Sequence, residues 1–242
     1  MGSIVLKEGK MRAKKINENV WVVIPAYNEA GSIGDVLNQF MNEDYSVLVV
    51  DDCSKDNTTD IILNYPVILL KHSINLGQGA ALQTGFEYIL NRTDAKYIIS
   101  FDSDGQHNIK DIPTLLAPLK TGDYDVTLGS RFLMPESVKG MPFSKKIILK
   151  LGVLYTLITT RLKLTDTHNG LRGFSRGTLK HINITQNRMA HASEILDQIA
   201  HYKLRYCEVP VTIQYTEYSK KKGQSIFNSL NILWDLFFGR NY

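Results

Sequence analysis

The sequence predicts an α/β protein: a mostly parallel sheet with helices on both faces. Two observations carry that reading. Short apolar, β-branched runs alternate with amphipathic segments of helical period through the first half of the chain. The runs are continuously apolar rather than alternating, as strands covered on both faces require.

In order, Val20–Ile24 is a strand closed by Pro25, and Gly31–Phe40 is a helix with Ile33, Val36, Leu37 and Phe40 on one face. Val47–Val50 is a second strand, running into Asp51-Asp52. Asp56–Leu63 is a helix with Asp56 as its N-cap. Val67–Leu70 is a strand, Gly79–Leu90 a helix and Tyr97–Phe101 a strand; Asp111–Leu119 and Val126–Leu128 repeat the pair. The second half is less regular. Met134–Pro142 reads as a loop, Lys145–Leu162 as a helix, Asp166–Ser175 as a polar, glycine-rich stretch and Arg188–Tyr202 as a helix. Tyr206–Tyr215 is a strand interrupted by Pro210, hence an edge strand or a bulge. Ser225–Phe238 is an amphipathic helix, with Ile226, Leu230, Leu233, Trp234, Phe237 and Phe238 largely on one side. Residues 1–18 read as a flexible leader, 19–215 as one domain divided near residue 107, and 216–242 as a basic loop plus the final helix.

The 242 residues suffice for one sizeable core, and a net charge of +4 is too small to point to nucleic acid. The basic excess is local: Lys145-Lys146, Arg161 and Lys163, and Lys220-Lys221-Lys222. Such clusters suit phosphates or an anionic membrane surface. Cys53 and Cys207 lie far apart without metal-ligand spacing, and a cytoplasmic setting is expected. No signal peptide and no run of about 18 apolar residues is visible.

The chemistry gathers where strands end. Pro25-Ala26-Tyr27-Asn28-Glu29, Asp51-Asp52, His72–Asn75 and Asp102-Ser103-Asp104 all follow apolar runs. In parallel sheets, ligands bind outside the carboxyl ends of the strands. In extended chain, residues i and i+2 face one side, so Asp102 and Asp104 can share a hard cation such as Mg²⁺ or Mn²⁺, with Gln106 and His107 on the same rim. A lone D-x-D is equally an Asx turn. Tyr27 offers a flat face for a nucleobase, and Glu29 and Asp52 offer acceptors for base or ribose donors. Gly77-Gln78-Gly79 opens a helix whose N-terminus favours anions. It imitates a dinucleotide fingerprint, but Leu82 stands at the third glycine position.

Six motifs in order resemble family-2 glycosyltransferases of the GT-A fold, in the dolichol-phosphate mannose synthase-like branch. They are P-A-Y-N-E at 25–29, D-D-C-S-K-D-N-T at 51–58, N-L-G-Q-G-A-A at 75–81, D-S-D-G-Q-H at 102–107, G-S-R-F at 129–132 and D-T-H-N-G-L-R-G-F at 166–174. The resemblance implies an inverting, metal-dependent transferase that moves a hexose from a UDP- or GDP-linked sugar. Its acceptor would be a polyprenyl phosphate or a sugar of a surface glycan. By that resemblance Pro25, Tyr27, Glu29, Asp52, Gly77, Gln78, Asp102 and Asp104 bind the nucleotide sugar, and Asp51 is structural. Asp102, Asp104 and Gln106 surround Mg²⁺ or Mn²⁺, Arg131 grips phosphate, and Glu194 is the candidate general base, ahead of Asp166 and His191. Lys145, Lys146, Asp166, Arg172 and Lys220 are the acceptor-side candidates. The branch's acceptor-binding Arg and Ser are replaced here: Ser144-Lys145-Lys146-Ile147-Ile148-Leu149 carries lysine and an apolar residue, and Lys220–Ser225 carries lysine for arginine. The final helix is compatible with peripheral contact at the cytoplasmic face of a membrane, and the edge strand with a homodimer. Two other readings stand beside this one. They are a non-catalytic sugar-nucleotide binder and a sugar nucleotidyltransferase, whose Arg-containing glycine-rich loop after the first strand is missing.

Overall fold

The structure, a computed structural model, describes residues 4–8, 19–138, 141, 143–187 and 190–214. Its elements are β1 (Ile4–Glu8), β2 (Val20–Ala26), α1 (Ile33–Phe40), β3 (Ser46–Asp51), α2 (Thr58–Ile62), β4 (Ile68–His72), α3 (Gln78–Arg92), β5 (Tyr97–Ser100) and α4 (Ile112–Thr121). They continue with β6 (Val126–Ser130), α5 (Phe143–Thr160), β7 (Arg172–Ser175), α6 (Arg176–Leu179), α7 (His191–His201) and β8 (Tyr206–Pro210).

The strands form one sheet in the order β1-β4-β3-β2-β5-β7-β6-β8. β4, β3, β2 and β5 are mutually parallel, as are β6 and β8; only β1 and β7 run against their neighbours. The chain winds outward from β2 through β3 to β4, then returns to place β5 on the other side of β2. The carboxyl ends of β2 and β5 therefore flank a topological switch point, where a crevice opens in such sheets.

The continuous apolar runs are explained by two cores. Val20, Val22 and Ile24 of β2, with Val47 and Val49 of β3, pack under Leu37 and Phe40 of α1 and Leu115 and Leu116 of α4. Trp21 and Val23, with Leu48 and Val50, pack under Leu82, Phe86 and Ile89 of α3 and Ile195, Leu196 and Ile199 of α7. Alternate side chains of each strand thus serve opposite faces, both covered. Pro25 sits inside the central β2 because β5 ends beside it. Ala26 O accepts from Asp52 N toward β3 and Val23 O accepts from Phe101 N toward β5, so residue 25 faces β5 just past the last paired residues, Val23 and Ser100.

Three expectations are corrected. Ile4–Glu8, inside the expected leader, forms edge strand β1, paired antiparallel to β4. The stretch read as polar and glycine-rich contains β7, inserted between β5 and β6. The edge strand β8 stops at Pro210, and the chain turns away so that Ile213 bridges His107 and Gln214 N donates to Gln106 O at 2.8 Å. The expected final helix, Ser225–Phe238, lies outside the described residues.

Candidate active site

Two loops at the carboxyl ends of β2 and β3 lock together. Asn28 (φ 53°) donates its N–H to Ser54 Oγ (3.0 Å), and its side-chain oxygen accepts from Lys55 N (2.8 Å). Glu29 N donates to Thr58 Oγ1 (2.8 Å). Tyr27 is left 38 % exposed on this platform, available to a planar ligand. Ser32 Oγ lies within hydrogen-bond reach of two acceptors, Glu29 Oε2 (3.0 Å) and Ser103 O (2.8 Å), and so ties the platform to the Asp102–Asp104 turn. Pro25, expected to contact nucleotide, is buried within β2 next to the strand end.

Asp51 is structural as expected: it accepts from Ser54 N and Thr59 Oγ1 and pairs with Lys71. Asp52, expected to contact nucleotide, anchors the loop that leads into α3. It is 2 % exposed, and its carboxylate accepts from His72 Nδ1 (2.7 Å), Leu76 N (2.8 Å) and Gly77 N (2.6 Å). His72 is held in turn against Thr84 Oγ1 at 3.0 Å. Gly77 takes φ 103°, a conformation only glycine adopts without strain, which is how the loop turns into α3. Asp52 thus fixes the mouth of α3, where backbone N–H groups favour an anion.

The D-x-D turn follows β5. Asp102 Oδ1 accepts from Gln78 Nε2 at the start of α3, and Oδ2 from His107 Nε2, both at 3.0 Å. Asp104 is clamped by Gln106, whose backbone N (3.0 Å) and Nε2 (2.7 Å) each donate to one carboxylate oxygen. Gln106 therefore positions Asp104, and only its carbonyl oxygen remains for a cation. Burial raises the Asp104 carboxyl above its usual range, and the charges of Asp102 and Glu29 add to this against the opposing pull of His107. Burial would also raise Asp102, but its hydrogen bond to His107 and the charges of His107, His191 and Arg172 outweigh that and hold it low.

This donor set fits a hard divalent cation. Carboxylates crowded and partly desolvated at one turn repel each other's charge, and a cation relieves that repulsion. Among the described residues, no group of three or more His, Cys, Asp or Glu could hold a metal by itself. Mg²⁺ and Mn²⁺ accept such sparse protein ligation when phosphates and water complete the shell.

Arg131, Asp166 and Arg172, expected on the phosphate and acceptor side, are bonded to one another's segments in the interior. Arg131 is 6 % exposed; its Nε donates to Asp166 Oδ2 (2.5 Å) and its Nη2 to His168 O (3.1 Å). Asp166 also accepts from Arg131 N and His168 N. Arg172 donates to the carbonyls of Thr167, Asn169 and Ala192, joining β7 to the start of α7. Burial lowers its guanidinium to about 10, against the charges of Asp102 and Asp166. The carboxylate of Glu194, the expected general base, accepts from Thr185 N, Thr185 Oγ1 and Gln186 N and so braces a loop. That loop abuts the start of α3: Gly79 N donates to Asn187 O, and a Cβ on Gly79 would lie 2.1 Å from Gln186 O and 2.8 Å from His191 Cβ. Lys146 is exposed on α5; the Lys145 side chain and Lys220 lie outside the described residues.

The structure gathers Gln78, Asp102, Asp104, Gln106 and His107 at one place, with Tyr27 and Glu29 on the adjoining platform. Sequence reasoning assigned no role to His72 or Gly170. Gly170 is the closest constraint on the site, because a Cβ there would stand 2.1 Å from Asp102 Oδ2. Its only sequence signal is its place in D-T-H-N-G-L-R-G-F.

The family model described as Glycosyl transferase family 2 matches residues 21–183. An uncharacterised protein of Methanocaldococcus jannaschii is 35% identical over 237 residues, covering 96% of this chain and 97% of its own. The UDP-N-acetylglucosamine–dolichyl-phosphate N-acetylglucosaminyltransferase of Methanococcus voltae is 33% identical over 238 residues, covering 90% and 94%. The undecaprenyl-phosphate mannosyltransferase of Micrococcus luteus is 30% identical over 225 residues, covering 86% and 91%. Among solved structures, glucosyl-3-phosphoglycerate synthase from Mycobacterium tuberculosis, in complex with Mn²⁺, UDP and glucosyl-3-phosphoglycerate, superposes with a TM-score of 0.66 at 18% identity. It covers 91% of this chain and 80% of its own.

Proposed function

Because the chain belongs to glycosyl transferase family 2 and is a glycosyltransferase, we propose that it transfers a hexosyl unit from a nucleoside-diphosphate sugar to a polyprenyl phosphate, with inversion at the anomeric carbon. The observation that carries this is the Asp102–Asp104 turn at the switch point, beside the N-terminus of α3. Tyr27 stacks the base, and the start of α3 faces the diphosphate. Asp102 and Asp104, the latter set by Gln106, would hold Mg²⁺ or Mn²⁺, which when bound supplies Lewis-acid stabilisation of the departing diphosphate. Gln78 and His107 keep Asp102 in place.

The positions of the acids support this acceptor class. A hydroxyl acceptor needs a positioned base to take its proton. Glu194 and Asp166, the carboxylates expected for that task, are engaged by internal donors. A phosphate monoester needs none. Its anionic oxygen attacks the anomeric carbon, the bond to the diphosphate oxygen breaks, its electron pair stays with the leaving nucleoside diphosphate, and no proton moves. The Methanococcus voltae and Micrococcus luteus relatives, named for dolichyl- and undecaprenyl-phosphate transfer, support the same acceptor class.

Calorimetric titration with UDP and with GDP, each with and without Mn²⁺, tests the donor half. One nucleotide should bind only with metal, and Asp104→Ala should abolish that binding in a folded protein. Metal-independent binding, or normal binding by the variant, would refute the metal assignment. Incubation with labelled UDP- and GDP-sugars and a polyprenyl phosphate should give an organic-soluble, acid-labile product. Label in a water-soluble glycan alone would refute the lipid acceptor.

A further inference from the structure

Helix α5 carries an unusual outer face. Phe143, Ile147, Leu151, Leu154, Leu157 and Ile158 are 41 to 77 % exposed. Their spacing of three and four residues places them in one stripe, which over 18 residues runs about 27 Å. The opposite face is fixed to the domain. Leu149 and Thr156 are buried there, and a Cβ on Gly152 would lie 2.8 Å from His168 Cε1. Among the described residues nothing covers the stripe, and a contiguous apolar surface of this extent marks a contact site.

We infer that the outer face of α5 seats the protein on an anionic lipid surface. Charge selects this occupant. Residues 143–160 contain no acid, and Lys146 and Lys150 stand exposed on the helix, with Arg161 and Lys163 exposed at its end. A second copy meeting this face by two-fold symmetry would set lysine against lysine. The chain's own residues 215–242 carry Lys220, Lys221, Lys222 and Arg240 against Glu217 and Asp235, so they add to the positive charge rather than neutralise it. Anionic headgroups complement the lysines, and the interfacial acyl region accepts the apolar stripe. No helix among the described residues is long and apolar enough to cross a membrane, and α5 is held along its inner face, so it lies on the surface.

The placement deepens the polyprenyl-phosphate reading, on which its purpose rests. The inner face of α5 packs on His168, whose carbonyl holds Arg131, and two residues on, Gly170 abuts Asp102. A helix lying on the bilayer beside that segment brings the cleft to the depth at which a lipid-borne phosphate is presented.

The test uses the full chain and vesicles free of polyprenyl phosphate and nucleotide, so it is independent of catalysis. Flotation with phosphatidylglycerol–phosphatidylcholine vesicles should recover the protein, with less on pure phosphatidylcholine and less at high salt. The double variant Leu154→Gln/Ile158→Gln should partition about tenfold more weakly with an unchanged melting temperature and unchanged nucleotide binding. Hydrogen exchange of the unmodified protein should slow over 143–160 when vesicles are added. Failure of the unmodified protein to bind, equal binding by the variant, or no protection of α5 would each overturn the inference. So would a dimer that the variant dissolves while vesicle binding persists, since the face would then be an interface between copies. A fall in melting temperature with vesicle binding intact would also overturn it, by assigning the stripe to the chain's own residues 215–242. Failure of the nucleotide titration would count against the proposed reaction and leave these outcomes unaffected.

Discussion

Glu194 stands in the first turn of α7, and both of its oxygens accept hydrogen bonds from Thr185 and Gln186. A carboxylate so placed can act as a proton acceptor for a substrate or as a brace for a loop. The two roles separate under Glu194→Gln. Loss of a general base lowers turnover by about 10²–10⁴-fold. Loss of a brace, where the amide still offers one oxygen to accept, leaves turnover per folded molecule within a few-fold. Glu194→Ala removes every acceptor and should cost about 1–2 kcal/mol of stability. Steady-state turnover of the Gln variant and urea unfolding of the Ala variant check both, and a thousandfold fall in turnover with stability intact would restore the catalytic role. Asp52 differs from Glu194 in burial but follows the same logic. Two of its three donors, Leu76 N and Gly77 N, come from the loop it organises and the third from His72 at the end of β4, so it shapes the mouth of α3.

At the scale of elements, the seam between β5 and β7 decides how accurately Asp102 is held. Ser100 Oγ donates to Gly170 O at 2.7 Å, drawing the segment before β7 against the end of β5. Gly170→Ala forces a methyl group into the space of the Asp102 carboxylate, which must swing away from Gln78 or His107. Metal-dependent nucleotide affinity should fall about tenfold or more, as expected when a site group is displaced by an ångström. Calorimetry with Mn²⁺ would show it, and unchanged affinity would mean that Asp102 does not hold the metal. This seam is also where sequence reasoning failed. The runs Val20–Ile24, Val47–Val50 and Tyr97–Phe101 announce themselves because strands buried on both faces must be apolar throughout. β7 is four residues long, has Gly173 at its centre and runs antiparallel among parallel strands, so neither length nor composition marks it. Gly173 is needed because a Cβ there would meet Thr127 Oγ1 at 2.4 Å, a constraint set 46 positions away. The Arg131–Asp166 pair is invisible in the sequence for a related reason. Spacing along the chain shows that two charges exist, but not that a 35-residue excursion brings them together in the interior. The Asp102–Asp104–Gln106 cluster was legible because its geometry is local to one turn.

For the whole molecule, the domain rests on buried charge beneath its cleft. Arg131, Asp166 and Arg172 are each under 9 % exposed; the Arg131–Asp166 pair and the carbonyls that accept from Arg172 offset the cost of removing them from water. His168 lies among them. Burial first, then the charges of Arg172 and Arg131, push its imidazole down to about 4 against the pull of Asp166. In the unfolded chain the same ring titrates near its ordinary value of about 6.5. Between those two values the unfolded state binds a proton that the native state refuses, so stability rises with pH across the window. The contribution of His168 is complete above pH 6.5 and is lost as pH falls toward 4, about 2 kcal/mol between pH 7 and 4.5. Acid sensitivity from the other groups is shared with a His168→Gln variant, so the difference between the two proteins isolates this residue. Urea unfolding at pH 7 and 4.5 should show the unmodified protein losing about 2 kcal/mol more than the variant over that interval. Parallel losses would mean that His168 is protonated in the native state. Arg131 and Arg172 would then face a third positive charge, and Asp166 alone would have to balance the cluster that supports the metal-binding turn.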